Sequence, residues 1–240
     1  MKVESSKVQQ PLRAKASPPL KSKAQIRIEV WSDFVCPFCY LEEPVLNRIA
    51  QTYGDSVIVD WKAFELRPEP VPTLDPDGEY LHAIWNRAVY PMAHLRGMKL
   101  RLPPLQPRSQ RAFEAAEFAR AQGRFDEMRA ALFQAFFQEG RDLASLSVLT
   151  QIGVSVGLDP LRLLSALQTG RYAPKVSEDE QLGREGGITG VPTMVFSRPG
   201  NELFEFPTVI SGAQPYEFLR STVEEVLHAP PDEHFPDKAG

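Results

Sequence analysis

The sequence predicts an α/β chain whose single sheet draws strands from both ends and is interrupted by a long all-helical insertion. Three observations carry this. Runs rich in β-branched and aromatic residues occur at 26–31, 56–66, 191–198 and 202–212. Residues 76–171 instead carry apolar stripes at helical spacing. The only two cysteines, Cys36 and Cys39, sit where the first strand run passes into a helical pattern.

Ile26, Ile28 and Val30 alternate with Arg27 and Glu29, which is strand periodicity. Pro37 suits the first turn of a helix, where its missing N–H is not needed. Leu41, Val45, Ile49 and Tyr53 then form a stripe of spacing four that stops at Gly54, a C-terminal cap. Pro44 inside this helix predicts a kink. The run at 56–66 is the second strand. The segment from Gly78 to Gly97 is helical but interrupted at Pro91, and Ala112, Ala115, Ala116 and Ala119 make a small-residue stripe on the next helix. Phe125, Met128, Leu132, Phe133, Phe136 and Phe137 lie on a third helix, ending at Gly140. Such stripes predict core rather than a cofactor box. A further helix follows over 143–157, and Asp159 with Pro160 opens the next as N-cap and first helical residue. After a helix at 173–187, the strand runs at 191–198 and 202–212 flank Pro199-Gly200-Asn201, residues suited to a hairpin turn. A last helix places Phe218, Val223, Val226 and Leu227 inward.

This order is the layout of a thioredoxin-like fold with a helical insertion. It divides the chain into a disordered basic tail (1–25), a β-α-β part (26–75), the insertion (76–171), a second sheet part (172–228) and a polar tail (229–240). The first tail carries Lys2, Lys7, Arg13, Lys15, Lys21 and Lys23 against Glu4. The net charge of −4 therefore hides an acidic body, which argues against nucleic acid as a partner. No apolar run is long enough to span a membrane. The tail lacks the apolar stretch of a secretory signal, so a cytoplasmic location is expected, with organelle targeting by the basic tail left open.

In a reducing compartment a lone cysteine pair points to redox chemistry rather than a permanent cross-link. A thiol exchanges disulfides only as the thiolate. Free cysteine, with a pKa of about 8.5, is mostly protonated at neutral pH. The unpaired N–H groups and aligned dipoles at a helix N-terminus favour an anion. CxxC sites placed there reach about 3.5–7. Cys36 is thus expected to be the exposed nucleophile, and Cys39, one turn further in, the buried resolving thiol. Two other readings compete. One is a structural disulfide. The other is half of a zinc site completed by His228 and His234, spaced H-x5-H. The placement between strand and helix favours redox, with no metal.

The motifs Ser32-Asp33-Phe34-Val35-Cys36-Pro37-Phe38-Cys39-Tyr40 and Gly187-Ile188-Thr189-Gly190-Val191-Pro192-Thr193, with the insertion between them, resemble DsbA-like proteins, and within them the FrnE-like dithiol–disulfide oxidoreductases and isomerases. The resemblance covers about residues 26–228. It implies that Pro192, preceded by Val191, is the cis-proline that faces CxxC and holds substrate backbone beside it. It implies activity on disulfide-containing proteins or small thiols, no cofactor beyond the redox-active pair, and glutathione as a candidate co-substrate. The redox partner is not implied. Phe38 stands where strongly oxidising DsbA proteins carry a histidine. That departure predicts a potential below DsbA's value of about −120 mV. DsbA also has a buried acid six residues before its first cysteine, which here is Val30. Asp33 is the nearest acid, either a proton carrier for Cys39 or a solvated strand-end carboxylate. Glu42 and Glu43 are expected to be solvated. Relatives with this fold, the kappa-class glutathione transferases and 2-hydroxychromene-2-carboxylate isomerases, place serine at the first cysteine's position, so a glutathione-dependent transferase or isomerase is the alternative function. A non-catalytic chaperone or binding module is a third.

Overall fold

The computed structural model describes residues 24–198 and 207–229. The expected tails over 1–23 and 230–240, the Pro199-Gly200-Asn201 turn and His234 lie outside the described residues.

β1 (Ile26–Ser32) is followed by α1 (Pro37–Tyr53) and β2 (Val57–Ala63). Six helices come next: α2 (Glu79–Ile84), α3 (Tyr90–Leu95), α4 (Gln110–Arg120), α5 (Phe125–Phe137), α6 (Leu146–Ser155) and α7 (Pro160–Gln168). α8 (Ala173–Glu185), β3 (Thr193–Ser197), β4 (Thr208–Ser211) and α9 (Tyr216–His228) complete the order. The strands form one sheet in the order β2-β1-β3-β4, with β1 parallel to β2 and the other pairs antiparallel. This is a thioredoxin-like sheet with a helical insertion.

β1 is the central strand, and both its faces are covered. Ile26, Ile28 and Val30 pack with Val45, Leu46 and Ile49 of α1 and Leu219, Val223 and Val226 of α9. On the other face Trp31 packs with Phe64, Ile188 and Val195, and its indole N–H donates to the Asp179 carbonyl of α8 at 2.9 Å. α8 approaches so closely that a Cβ on Gly183 would lie 2.6 Å from the indole nitrogen. Arg27 and Glu29, polar by the strand alternation, are therefore buried as well.

Several local expectations change in the tertiary setting. The helix around Pro91 is not interrupted. A π-helical turn, Trp85–Val89, joins α2 to α3, and the Tyr90 N–H bonds to the Trp85 carbonyl five residues back. The wider turn accommodates the proline, which has no N–H to donate. α1 runs on through Pro44, which lies on an exposed face of the helix. β2 ends at Ala63 rather than Leu66, because Glu65 and Leu66 turn their N–H groups to the carboxylates of Glu180 and Asp33. In α9 Leu219, not Phe218, is the fully buried residue, and Phe218 is half-buried. The expected N-cap of α7 forms: Asp159 accepts from the Arg162 N–H at 2.8 Å.

Candidate active site

The carboxyl end of β1 delivers Asp33, and a short turn closed by the Cys36 N–H on the Asp33 carbonyl (3.1 Å) leads into α1. Cys36 is the N-cap of α1 and Pro37 its first residue; the Cys39 and Tyr40 N–H groups both bond to the Cys36 carbonyl. Pro37 needs no partner there. This turn places Cys39 three residues after Cys36, just short of a full helical turn, so the two thiols interact. Both are free thiols.

The insertion clamps this turn. The Phe34 ring lies 5.1 Å from Phe113 of α4 and from Phe133 of α5. The Tyr40 ring stacks on Phe133 and Phe137, and its hydroxyl accepts from Gln138 at 2.7 Å. Cys36 was expected to be exposed, but it is only 5% exposed, in the same apolar core as these rings. The covering residues come from distant helices, which a local pattern does not reveal. The Cys36 sulfur accepts no N–H from the helix end; as a thiol it donates to the Val191 carbonyl at 3.5 Å. The Val191–Pro192 bond is cis, as is Glu69–Pro70. Pro37 and Phe38 are half-buried beside the pair.

Cys39 is fully buried. Burial, and then the neighbouring Cys36 sulfur, push its thiol well above the ordinary range; the Asp33 N–H, which reaches its sulfur at 3.5 Å, and the Ser32 hydroxyl work the other way. Cys39 therefore keeps its proton until a base removes it.

Asp33 is not solvated: it is 0% exposed. Its carboxylate accepts from the Leu66 N–H at 2.8 Å and the Val35 N–H at 3.2 Å. Burial pushes its pKa up to about 6 against these bonds and the nearby Ser109 hydroxyl, and Glu65 adds to the rise. Glu42 and Glu43 are also buried, contrary to expectation. Glu42 bonds to Arg96 at 3.1 Å and to the Gln214 N–H at 2.9 Å, and burial pushes it up to about 7. Glu43 pairs with Arg129 at 2.8 Å and is raised by burial. Arg96 and Arg129 come from the insertion, so these acids tie α1 to it.

Sequence reasoning missed Glu65, Ser109 and Glu180. Glu65 accepts from the Ser109 and Gln110 N–H groups, and its own N–H donates to Glu180. Nothing in their local patterns marks them; only the packing of α4 and α8 beside the end of β2 brings them together. Among the described residues no group of three or more His, Cys, Asp or Glu could hold a metal ion, and His228 is exposed. No helix among them is long and apolar enough to cross a membrane.

Comparison with known proteins gives a consistent picture. The family described as DSBA-like thioredoxin domain matches over residues 27–224. The uncharacterized protein YwbO of Bacillus subtilis (strain 168) is 32% identical over 204 residues, covering 83% of this chain and 96% of that protein. Among solved structures, the probable DsbA oxidoreductase SCO1869 from Streptomyces coelicolor superposes with a TM-score of 0.69 at 22% identity, over 89% of this chain and 94% of its own. A 2-hydroxychromene-2-carboxylate isomerase superposes with a TM-score of 0.68 at 21% identity, over 83% and 95% respectively. At these identities the structural likenesses establish the fold.

Proposed function

Because this chain belongs to the DSBA-like thioredoxin domain family, we propose that it is a thiol–disulfide oxidoreductase working through Cys36 and Cys39, of the FrnE-like kind. The observation that carries this is the pair itself: two free thiols at the start of α1, the first at the N-cap beside the Val191 carbonyl. The Cys36 thiolate attacks one sulfur of a substrate disulfide. A mixed disulfide forms, and the other substrate sulfur leaves as a thiolate and takes up a proton. Cys39 gives its proton to the Asp33 carboxylate, and its thiolate attacks Cys36. The Cys36–Cys39 disulfide forms and the second substrate thiol departs. Two electrons and two protons pass to the substrate. A small thiol such as glutathione returns the pair to the dithiol in a reducing, cytoplasmic setting, where the enzyme acts as reductase or isomerase. The segment at Val191–Pro192, ahead of β3, offers backbone to an extended substrate beside Cys36. With Phe38 between the cysteines, the potential lies below DsbA's value of about −120 mV.

The second function is glutathione-dependent isomerase or transferase chemistry, favoured by the likeness in fold to the carboxylate isomerase. Insulin reduction separates the two. Cys36→Ser abolishes it, and Cys39→Ser leaves a trapped mixed disulfide. Insulin reduction that survives Cys36→Ser rules the redox proposal out.

A further inference from the structure

Beside Asp33 lies a cavity of about 50 Å³, room enough for water. A water needs about 10–15 Å³ on that measure and two to four polar partners. Asp33, Glu65 and Ser109 line its buried end, and Leu66 and Thr73, both exposed, line its outer end.

Ser109 is the unusual member. It is the N-cap residue of α4, where a serine oxygen ordinarily accepts from its own helix. Here it caps nothing. Glu65 takes that duty, accepting from the Ser109 N–H at 2.8 Å and the Gln110 N–H at 3.3 Å. The freed hydroxyl is fully buried, has no hydrogen-bond partner of ordinary geometry and faces the Asp33 carboxylate. A hydroxyl can rotate, donating to a carboxylate in one orientation and accepting from a carboxylic acid in the other. An unpartnered buried hydroxyl between a carboxylate and a water-sized cavity is placed to do both.

We propose that this cavity, with Ser109 at its inner end, is a water-filled proton path that joins Asp33 to solvent and so governs how quickly Cys39 is deprotonated. The proposal rests on the dithiol reading above. It makes Ser109 a positioning residue that acts through Asp33. The proton given by Cys39 to Asp33 passes to a cavity water and leaves past Thr73, restoring the carboxylate. The other ionisable groups around Asp33 are Cys39 from α1 and Glu65 from the segment after β2. Glu65 in turn faces Glu180 of α8 and Arg108, and Arg67 lies at the cavity wall.

Dithiobis(nitrobenzoic acid) reads the two steps separately on the intact chain. The first nitrobenzoate thiolate is released when Cys36 attacks, and the second when Cys39 resolves the mixed disulfide. Ser109→Ala is expected to slow the second release about tenfold near neutral pH, less than the ~10²–10⁴-fold of a direct acid–base group, and to leave the first unchanged. Its pH profile flattens, and Ser109→Thr, which keeps a hydroxyl, restores it. Leu74→Trp, which fills the cavity from its wall, slows the same step and decides the matter if Ser109→Ala does not fold. The proposal is overturned if the second release stays within about twofold of wild type from about pH 5 to pH 8 in the folded variants. It is equally overturned if both releases slow together or Ser109→Thr fails to restore the rate. A first release that persists in Cys36→Ser instead refutes the underlying dithiol reading.

Discussion

On the sheet face covered by α4 and α8, Glu29, Asp60 and Asp179 lie among Arg27, Lys62, Arg120 and Lys175, whereas at the carboxyl end of β1 Asp33 and Glu65 share a pocket and form no ion pair among the described residues. All of these acids but the partly exposed Asp60 are buried. In the first, Lys62 reaches Asp60 at 3.0 Å, Glu29 at 3.5 Å and Asp179 at 3.9 Å, and so links two strands to a helix. In the second, Asp33 is held by two backbone N–H groups, with the Ser109 hydroxyl nearby and no cation. The contrast separates two uses of a buried carboxylate. One is neutralised and joins elements together. The other is left without a base, so burial raises its pKa to about 6.

The largest way to break this contrast is to remove the base. Lys62→Met leaves Glu29, whose oxygens already lack hydrogen bonds of ordinary geometry, without its nearest cation. A loss of about 3–5 kcal/mol is expected in urea unfolding, and Lys62→Met/Glu29→Leu recovers most of it. The stepwise thiol release at Cys36 and Cys39 stays unchanged in the folded variants. A loss below about 1 kcal/mol would mean that the pairing holds nothing together.

Next is the unpaired acid. A carboxyl raised from 3.8 to about 6 lets the folded chain bind more protons than the unfolded chain between those values. Stability therefore falls as pH rises through that window, by about 3 kcal/mol once Asp33 is ionised. Asp33→Asn removes this cost but leaves one of the two N–H groups with a poorer acceptor. A net gain of about 2 kcal/mol is expected at pH 8, vanishing near pH 4. The same variant slows resolution by Cys39 about 10²-fold. Thermal unfolding at both pH values, beside the thiol-release assay, checks the two halves. A variant that is no more stable at pH 8 contradicts the buried-acid account.

An exposed acid sets the lower end of the scale. Asp159 also serves a backbone N–H, that of Arg162, but in water, at the start of α7. Asp159→Ala should cost about 1 kcal/mol with little change in the dithiol chemistry. A cost of about 3 kcal/mol or more would show that burial is not what distinguishes the inner acids.

Features written in neighbouring residues were legible before any fold was known. Alternation marked β1, the spacing-four stripe marked α1 up to Gly54, and Asp159-Pro160 marked the start of α7. The two cysteines stood out at the strand-to-helix junction. Each depends on torsion preferences, hydrogen bonds and side-chain periodicity within a few residues. The choice of Pro192 as a site residue was carried by resemblance, since one proline among 22 has no local distinction.

Burial belonged to the tertiary structure. Glu42 and Glu43 sit on a helix face that would meet water had the insertion not brought Arg96 and Arg129 against it. Cys36 is at a helix mouth by its sequence and under cover by its packing. Asp33 follows a strand by pattern; only the turn after β2 and the start of α4 supply the N–H groups and the hydroxyl that surround it. The chain alone determined which reactive groups exist and where along the backbone they stand. The fold decided which of them lose water and which gain a counter-charge, because desolvation and Coulomb energy depend on neighbours in space.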